Sequence, residues 1–187
     1  MSRLRLIALA AWLLMPQPPL LAEDLGASPS PKAAEALRLL DSEDVYQRQL
    51  GFLRLEALRE PATAARIGSY ATNKDPDVRA YSLRALAAIQ GARAVPTLLN
   101  ALSDKSGRVR RSIIQGLEPL VDTNPEILPM FIARLKDRSP QVRMAVIDAL
   151  SRIDSPRAKE AILLHRRRER NRDVKRVLNA TLKRLGW

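Results

Sequence analysis

The chain has 187 residues, of which 46% are hydrophobic and 28% charged, a balance that excludes a disordered or wholly membrane-embedded protein and leaves material for one domain or a short repeat array. The formal net charge is +12, with no Cys and one His, which removes disulfides, thiolate chemistry and His- or Cys-rich metal sites. Aromatic residues amount to only 4%, and a chain rich in Leu, Ala and Arg but poor in β-branched and aromatic side chains reads as all-helical.

At the N-terminus, Arg3 and Arg5 precede an apolar run over residues 6–15, after which Pro16, Pro18 and Pro19 stop any helix ahead of Leu20, Leu21 and Ala22. That is the order of a signal peptide, and the run is too short to cross roughly 30 Å of hydrocarbon. No Cys follows to carry a lipid. The expectation is a signal peptide over residues 1–22 cleaved near Ala22, a flexible linker over 23–30, and a mature chain that is periplasmic or secreted without stable membrane insertion.

From residue 31 onward one phrase recurs. Asp77-Val78-Arg79, Arg108-Val109-Arg110, Gln141-Val142-Arg143 and Asp173-Val174-Lys175 each open a helix, and their Val residues stand 31 to 33 apart. A degenerate earlier copy is placed at Val45, followed by Tyr46. Eight residues after each Val stand Leu86, Leu117, Leu150 and Leu182, and eleven after it Ile89, Leu120, Ile153 and Leu185. At 100° per residue these share a helix face with the Val. Small residues at the seventh place, Ala85, Gly116, Ala149 and Thr181, would let a neighbouring helix approach.

A second apolar helix precedes each phrase, with core pairs Leu98-Leu99, Phe131-Ile132 and Leu163-Leu164, and with Leu102 and Leu135 behind the first two. In the last repeat Arg167 takes that place. Turn-forming stretches separate the helices. The repeats are expected over about 31–60, 61–91, 92–123, 124–154 and 155–187. A lone helix pair cannot bury both its faces, so the pairs must stack.

The residues 74–79 with Ala85-Leu86, and 136–143 with Ala149-Leu150, resemble the HEAT family, in particular its short phycobilin-lyase-like (PBS lyase HEAT-like) variant, and the resemblance covers about residues 31–185. It implies an all-α fold, a right-handed α-solenoid of about five stacked antiparallel helix pairs. It also implies a structural ladder between an acid in each turn and a base six residues later in the second helix: Asp104 with Arg110, Asp137 with Arg143 and Glu169 with Lys175, Asn73 standing six before Arg79. The Val45 repeat departs from this and suits an N-terminal cap. By the helical wheel, positions two, six and nine after each Val point away from the core, and in HEAT-like stacks such a row lines the concave surface. Its candidates for protein binding are Arg84, Arg111, Gln115, Met144, Asp148, Arg176 and Lys183, with Ala80, Ala87 and Ser151 in the same row.

No catalytic constellation is expected. His165 alone supplies neither the iron ligands of the HEAT-like hydroxylases nor a Ser-His-acid arrangement, and it reads as a solvated surface residue. No Gly-rich phosphate loop exists, and Glu43-Asp44 and Asp75/Asp77 read as helix caps. No cofactor or metal is called for. The remaining signal is charge: between residues 157 and 187 there are eleven Lys or Arg against Glu160, Glu169 and Asp173. The sequence therefore points to an exported, non-catalytic scaffold that binds another protein or peptide through the concave row. The alternative is electrostatic binding of an anionic envelope polymer, such as lipopolysaccharide, acidic cell-wall polymer or nucleic acid, through Arg166, Arg167, Arg168, Arg170, Arg172 and Lys175. Nucleic acid is disfavoured, because the row is basic only at its end.

Overall fold

Each second helix is started by a residue whose extended backbone and short polar side chain oppose helix continuation: Asp44, Asp75, Ser106, Ser139 and Asn171. The side chains of Asp44, Asp75 and Asn171 accept backbone N–H groups of the first turn. Ser106 and Ser139 make no side-chain cap; their own N–H groups are held by the carboxylate two residues upstream, Asp104 or Asp137. Pro stands at the start of several helices, where its missing N–H costs nothing.

The computed structural model describes residues 28–187, and the helices among them form five pairs. They are α1 (Pro31–Leu39) with α2 (Val45–Leu58), α3 (Ala64–Gly68) with α4 (Pro76–Gln90), α5 (Val95–Ala101) with α6 (Gly107–Leu117), α7 (Ile127–Arg134) with α8 (Pro140–Leu150), and α9 (Pro156–Arg168) with α10 (Arg172–Leu185). The expected signal peptide and most of the expected linker lie outside the described residues. Ser30 caps α1 through Ala33 N–H, and Glu60 accepts from both its N–H and its hydroxyl.

The second helices α2, α4, α6, α8 and α10 pack side by side in chain order, each with its own first helix on the flank. This is an α-solenoid. The Val positions 78, 109, 142 and 174 and the Leu positions 86, 117, 150 and 182 are all buried. α4 divides the core into two clusters. Its Val78, Ala85 and Leu86 join Phe52, Leu55 and Ile67 on one side, while its Ala80, Leu83 and Ala87 join Ile113, Ile114 and Leu117 on the other. The small residues have the expected use: a Cβ added at Gly116 would meet Ala87 Cβ at 3.0 Å.

Two register readings change. The first repeat is not centred on Val45, which is exposed along with Tyr46. Its N-cap Asp44 stands 31 residues before Asp75, so Gln47 and Arg48 occupy the places of Val78 and Arg79. Arg48 donates to the carbonyl of Ser42, six residues back, as Arg79 does to Asn73. In the last repeat the buried stripe of α9 is Ala158 and Ile162, so the expected pair Leu163-Leu164 slips by one residue and leaves Leu164 exposed. Ala80, Ala87 and Ser151 are buried rather than displayed: α6 packs over the two alanines, and Arg184 of α10 donates to the Ser151 hydroxyl at 3.0 Å.

Candidate functional site

The ladder is present, but its rungs cross between repeats. Arg79 gives Nε and Nη2 to the two carboxylate oxygens of Asp104, Arg110 does the same to Asp137, and Arg143 to Glu169. Six residues back, each of these arginines meets the backbone carbonyl of its own turn, at Asn73, Asp104 or Asp137, through Nη1. The acid is thus paired with the base of the preceding repeat rather than with the base six residues later. Lys175 is exposed and forms no rung among the described residues. Between the first two repeats Asn73 stands where the acid would be, and its side chain accepts only Asp75 N–H.

These carboxylates are held ionised against their burial. Burial pushes Asp104, Asp137 and Glu169 up, but the guanidinium and backbone N–H donors outweigh it and leave all three lowered, Glu169 to about 2. His165 is not solvated: its side chain is 11% exposed and Nε2 lies 2.9 Å from Glu169 Oε2. It closes the last rung.

The expected row of second-helix residues is partly occupied by the fold's own contacts. Arg84 pairs with Glu56 at 2.8 Å and lies over the Tyr81 ring, Asp148 pairs with Arg152, and Arg176 with Asp173. Arg111, Gln115 and Lys183 are exposed, and Met144 is half-buried against the core. Arg84 and Gln115 share a groove with Glu56, Arg59, Pro119 and Leu120 at one end of α2, α4 and α6. Arg111 lies in another shallow site with Arg108, Ser139 and Gln141.

A more apolar cleft of about 560 Å³ lies between two first helices, α7 and α9. Ile132 from α7 and Leu135 at its C-cap face Ala161 and Leu164 from α9, and the last ladder rung, Arg143 with Glu169, closes one end together with His165. Lys136, Arg168 and Arg170 stand at its mouth, exposed, with no ion pair from their side chains among the described residues. This cleft escapes sequence reasoning because Leu164 reads as core until the one-residue slip of α9 is seen. Of the six residues expected to bind anions, Arg168 and Arg170 line it. Arg166, Arg167, Arg172 and Lys175 are exposed elsewhere on the same end of the molecule.

Among the described residues no group of three or more acidic or His side chains could hold a metal ion, and no helix is long and apolar enough to cross a membrane. The Glu43, Asp44, Asp75 and Asp77 carboxylates include two helix caps, Asp44 and Asp75, and Asp77 pairs with Arg108 of the next repeat at 2.9 Å.

A family model described as HEAT repeats matches residues 33–118 and again 100–183. No curated protein matches the chain. Among solved structures, the complex of CpcE and CpcF of phycocyanin lyase from Nostoc sp. PCC7120 is similar in fold, with a TM-score of 0.66 and 21% identity over 80% of this chain and 96% of that one.

Proposed function

This chain belongs to the HEAT-repeat family, and from that premise we propose that it is an exported, non-catalytic scaffold whose α7–α9 cleft binds an acidic segment of a partner protein. The helical-repeat architecture rests on the family match. The observation that carries the rest is the cleft's chemistry: an apolar floor of Ile132, Leu135, Ala161 and Leu164 beneath three exposed cations, Lys136, Arg168 and Arg170, that pair with no acid among the described residues. Such a site suits one or two apolar side chains flanked by Asp or Glu, with the floor supplying affinity and the rim orientation and on-rate. The row of second helices fits a ligand less well, because Arg84, Asp148 and Arg176 are already paired.

Export rests on residues 1–22, and it places the encounter in the periplasm or outside the cell. Deep burial of the carboxylates in guanidinium rungs, together with a single His held by Glu169, supports a structural rather than a catalytic role for the titratable groups.

A photo-crosslinking residue placed at Leu164 in the full chain, in its native envelope, is expected to capture a discrete protein, whereas one at Gln115 captures none. Capture at Gln115 alone would move the site to the second-helix row. N-terminal sequencing of the recovered protein should begin within a few residues of Glu23; recovery of an intact Met1 end would count against export by cleavage.

A second reading rests on a separate observation, the unpaired exposure of Arg166, Arg167, Arg172 and Lys175. In it, these residues bind an anionic polymer without using the cleft. Its affinity should fall steeply with salt, and Leu164→Ala should leave it unchanged.

A further inference from the structure

The two ends of the solenoid are unlike. At the C-terminal end the outward residues of α10 are Arg172, Lys175, Arg176, Asn179 and Lys183, all exposed, which is the polar outer face a terminal repeat needs. At the other end α2 carries a second apolar stripe on its outer side, flanked by Gln47, Gln49, Arg54 and Glu56. Gly51, Phe52 and Leu55 are buried, while Tyr46 is 80%, Leu50 37% and Leu53 38% exposed, and Ala57 is exposed beyond them. A stripe of apolar side chains left exposed on the outer side of a helix marks a contact surface. The exposed Tyr46, Leu50 and Leu53 are not the polar outer face that a capping repeat presents.

The positions themselves say what is missing. Thirty-one residues beyond Leu50 and Leu53 stand Tyr81 and Arg84 on α4, and both reach back to the preceding second helix: the Tyr81 ring stacks on Phe52 with centroids 6.3 Å apart, and Arg84 pairs with Glu56 at 2.8 Å. On α2 the corresponding residues display apolar side chains to solvent. Their spacing, 46, 50, 53 and 57, alternates four and three residues, which is the seam along which one helix packs on another.

We propose that this face is covered by α2 of a second copy of the chain, packed antiparallel about a two-fold axis between Leu50 and Leu53. That register sets Leu50 against Leu53 of the other copy and Tyr46 against Ala57, large against small on both sides of the axis. It also brings Asp44 opposite Arg59. Glu43, Asp44 and Arg59 are exposed and make no ion pair among the described residues, so the two ends of the helix are complementary in charge when the partner runs the other way. A parallel pairing would put Asp44 beside Asp44. The flanking Gln47, Gln49, Arg54 and Glu56 meet no like charge across the antiparallel seam. An isologous contact needs only one self-complementary face, and a single helix pair is small for an interface, so the dimer is weak and concentration-dependent.

The chain contains no Cys, so an introduced thiol is unique. Single variants Tyr46→Cys and Ala57→Cys, each in the full chain, are oxidised alone and as a mixture. Crosslinking is expected in the mixture only, since the antiparallel register keeps residue 46 about 16 Å from its own copy, at about 1.5 Å of rise per residue. Sedimentation should show a monomer–dimer equilibrium, with Leu50→Glu raising the dissociation constant more than about 10-fold while circular dichroism stays unchanged. A monomer at every concentration, as when residues 1–27 or a different protein cover the face, would overturn the proposal, and so would crosslinking of Tyr46→Cys alone or a dimer indifferent to Leu50→Glu.

Discussion

The Arg110 guanidinium meets both carboxylate oxygens of Asp137, at 2.8 and 2.6 Å, while its third nitrogen donates to the Asp104 carbonyl at 2.7 Å. One side chain thus ties its own turn to the next repeat. Both partners are 5% exposed, so removing one leaves a buried charge without a counter-ion. Asp137→Ala is expected to lower stability by about 3 to 5 kcal/mol, read from the urea midpoint. Asp41→Ala, which breaks the exposed pair with Arg66, should cost less than about 1 kcal/mol. Lys175→Ala should change stability by no more than about 0.5 kcal/mol, because it forms no rung.

The last rung makes stability depend on acid. The folded Glu169 carboxyl is lowered from 4.5 to about 2, so its stabilising contribution is present above the unfolded pKa and is lost as pH falls through 4.5 toward about 2. Asp104 and Asp137 shift in the same direction and reinforce the loss. Urea midpoints measured between pH 6 and pH 2 should fall on acidification, and Glu169→Gln should be less stable at pH 6 with a shallower fall. A Gln variant with the same slope would show that the acid sensitivity comes from elsewhere.

Helix α1 approaches α2 over Gly51, where an added Cβ would lie 2.8 Å from Leu40 Cδ2 and 2.9 Å from the Ala36 carbonyl oxygen. Ala is the better helix former by about 1 kcal/mol, but the Ala36 backbone cannot swing aside. Gly51→Ala is therefore expected to destabilise by about 1 to 3 kcal/mol net, seen as a lowered thermal midpoint. A rise would mean that α1 can back away from α2 at little cost.

Core and cleft should respond differently to truncation. Phe131→Ala removes a fully buried ring and should cost about 3 to 5 kcal/mol. Leu164→Ala removes a side chain that is 46% exposed and should change stability by less than about 1 kcal/mol while weakening any ligand seated on the cleft floor.

The repeat was legible because Val78, Val109, Val142 and Val174 and their Leu partners answer to a single demand, burial on one helix face at a fixed period. The ladder residues were legible as types but not as pairs. Asp104 is six residues before Arg110 in sequence, yet its side chain caps the Ser106 N–H and faces Arg79, a pairing set by how one repeat stacks on the next. The origin of the first repeat lies two residues beyond Val45, which resembles the other origins, while its counterpart in the stack, Gln47, carries no apolar signal. The cleft was illegible for the opposite reason: Leu164 follows Leu163 in the expected core position, and only packing shows that Ile162 has taken it.

The most direct test of the scaffold reading is a titration of the full chain with an acidic peptide carrying a Leu-Phe pair between Glu residues, followed by calorimetry. Saturable binding is predicted, weakened more than about 10-fold by Leu164→Glu and by Arg168→Glu and unaffected by Arg111→Glu. Binding that survives both cleft substitutions, or that is lost equally with Arg111→Glu, would contradict the assignment of function to the cleft between α7 and α9.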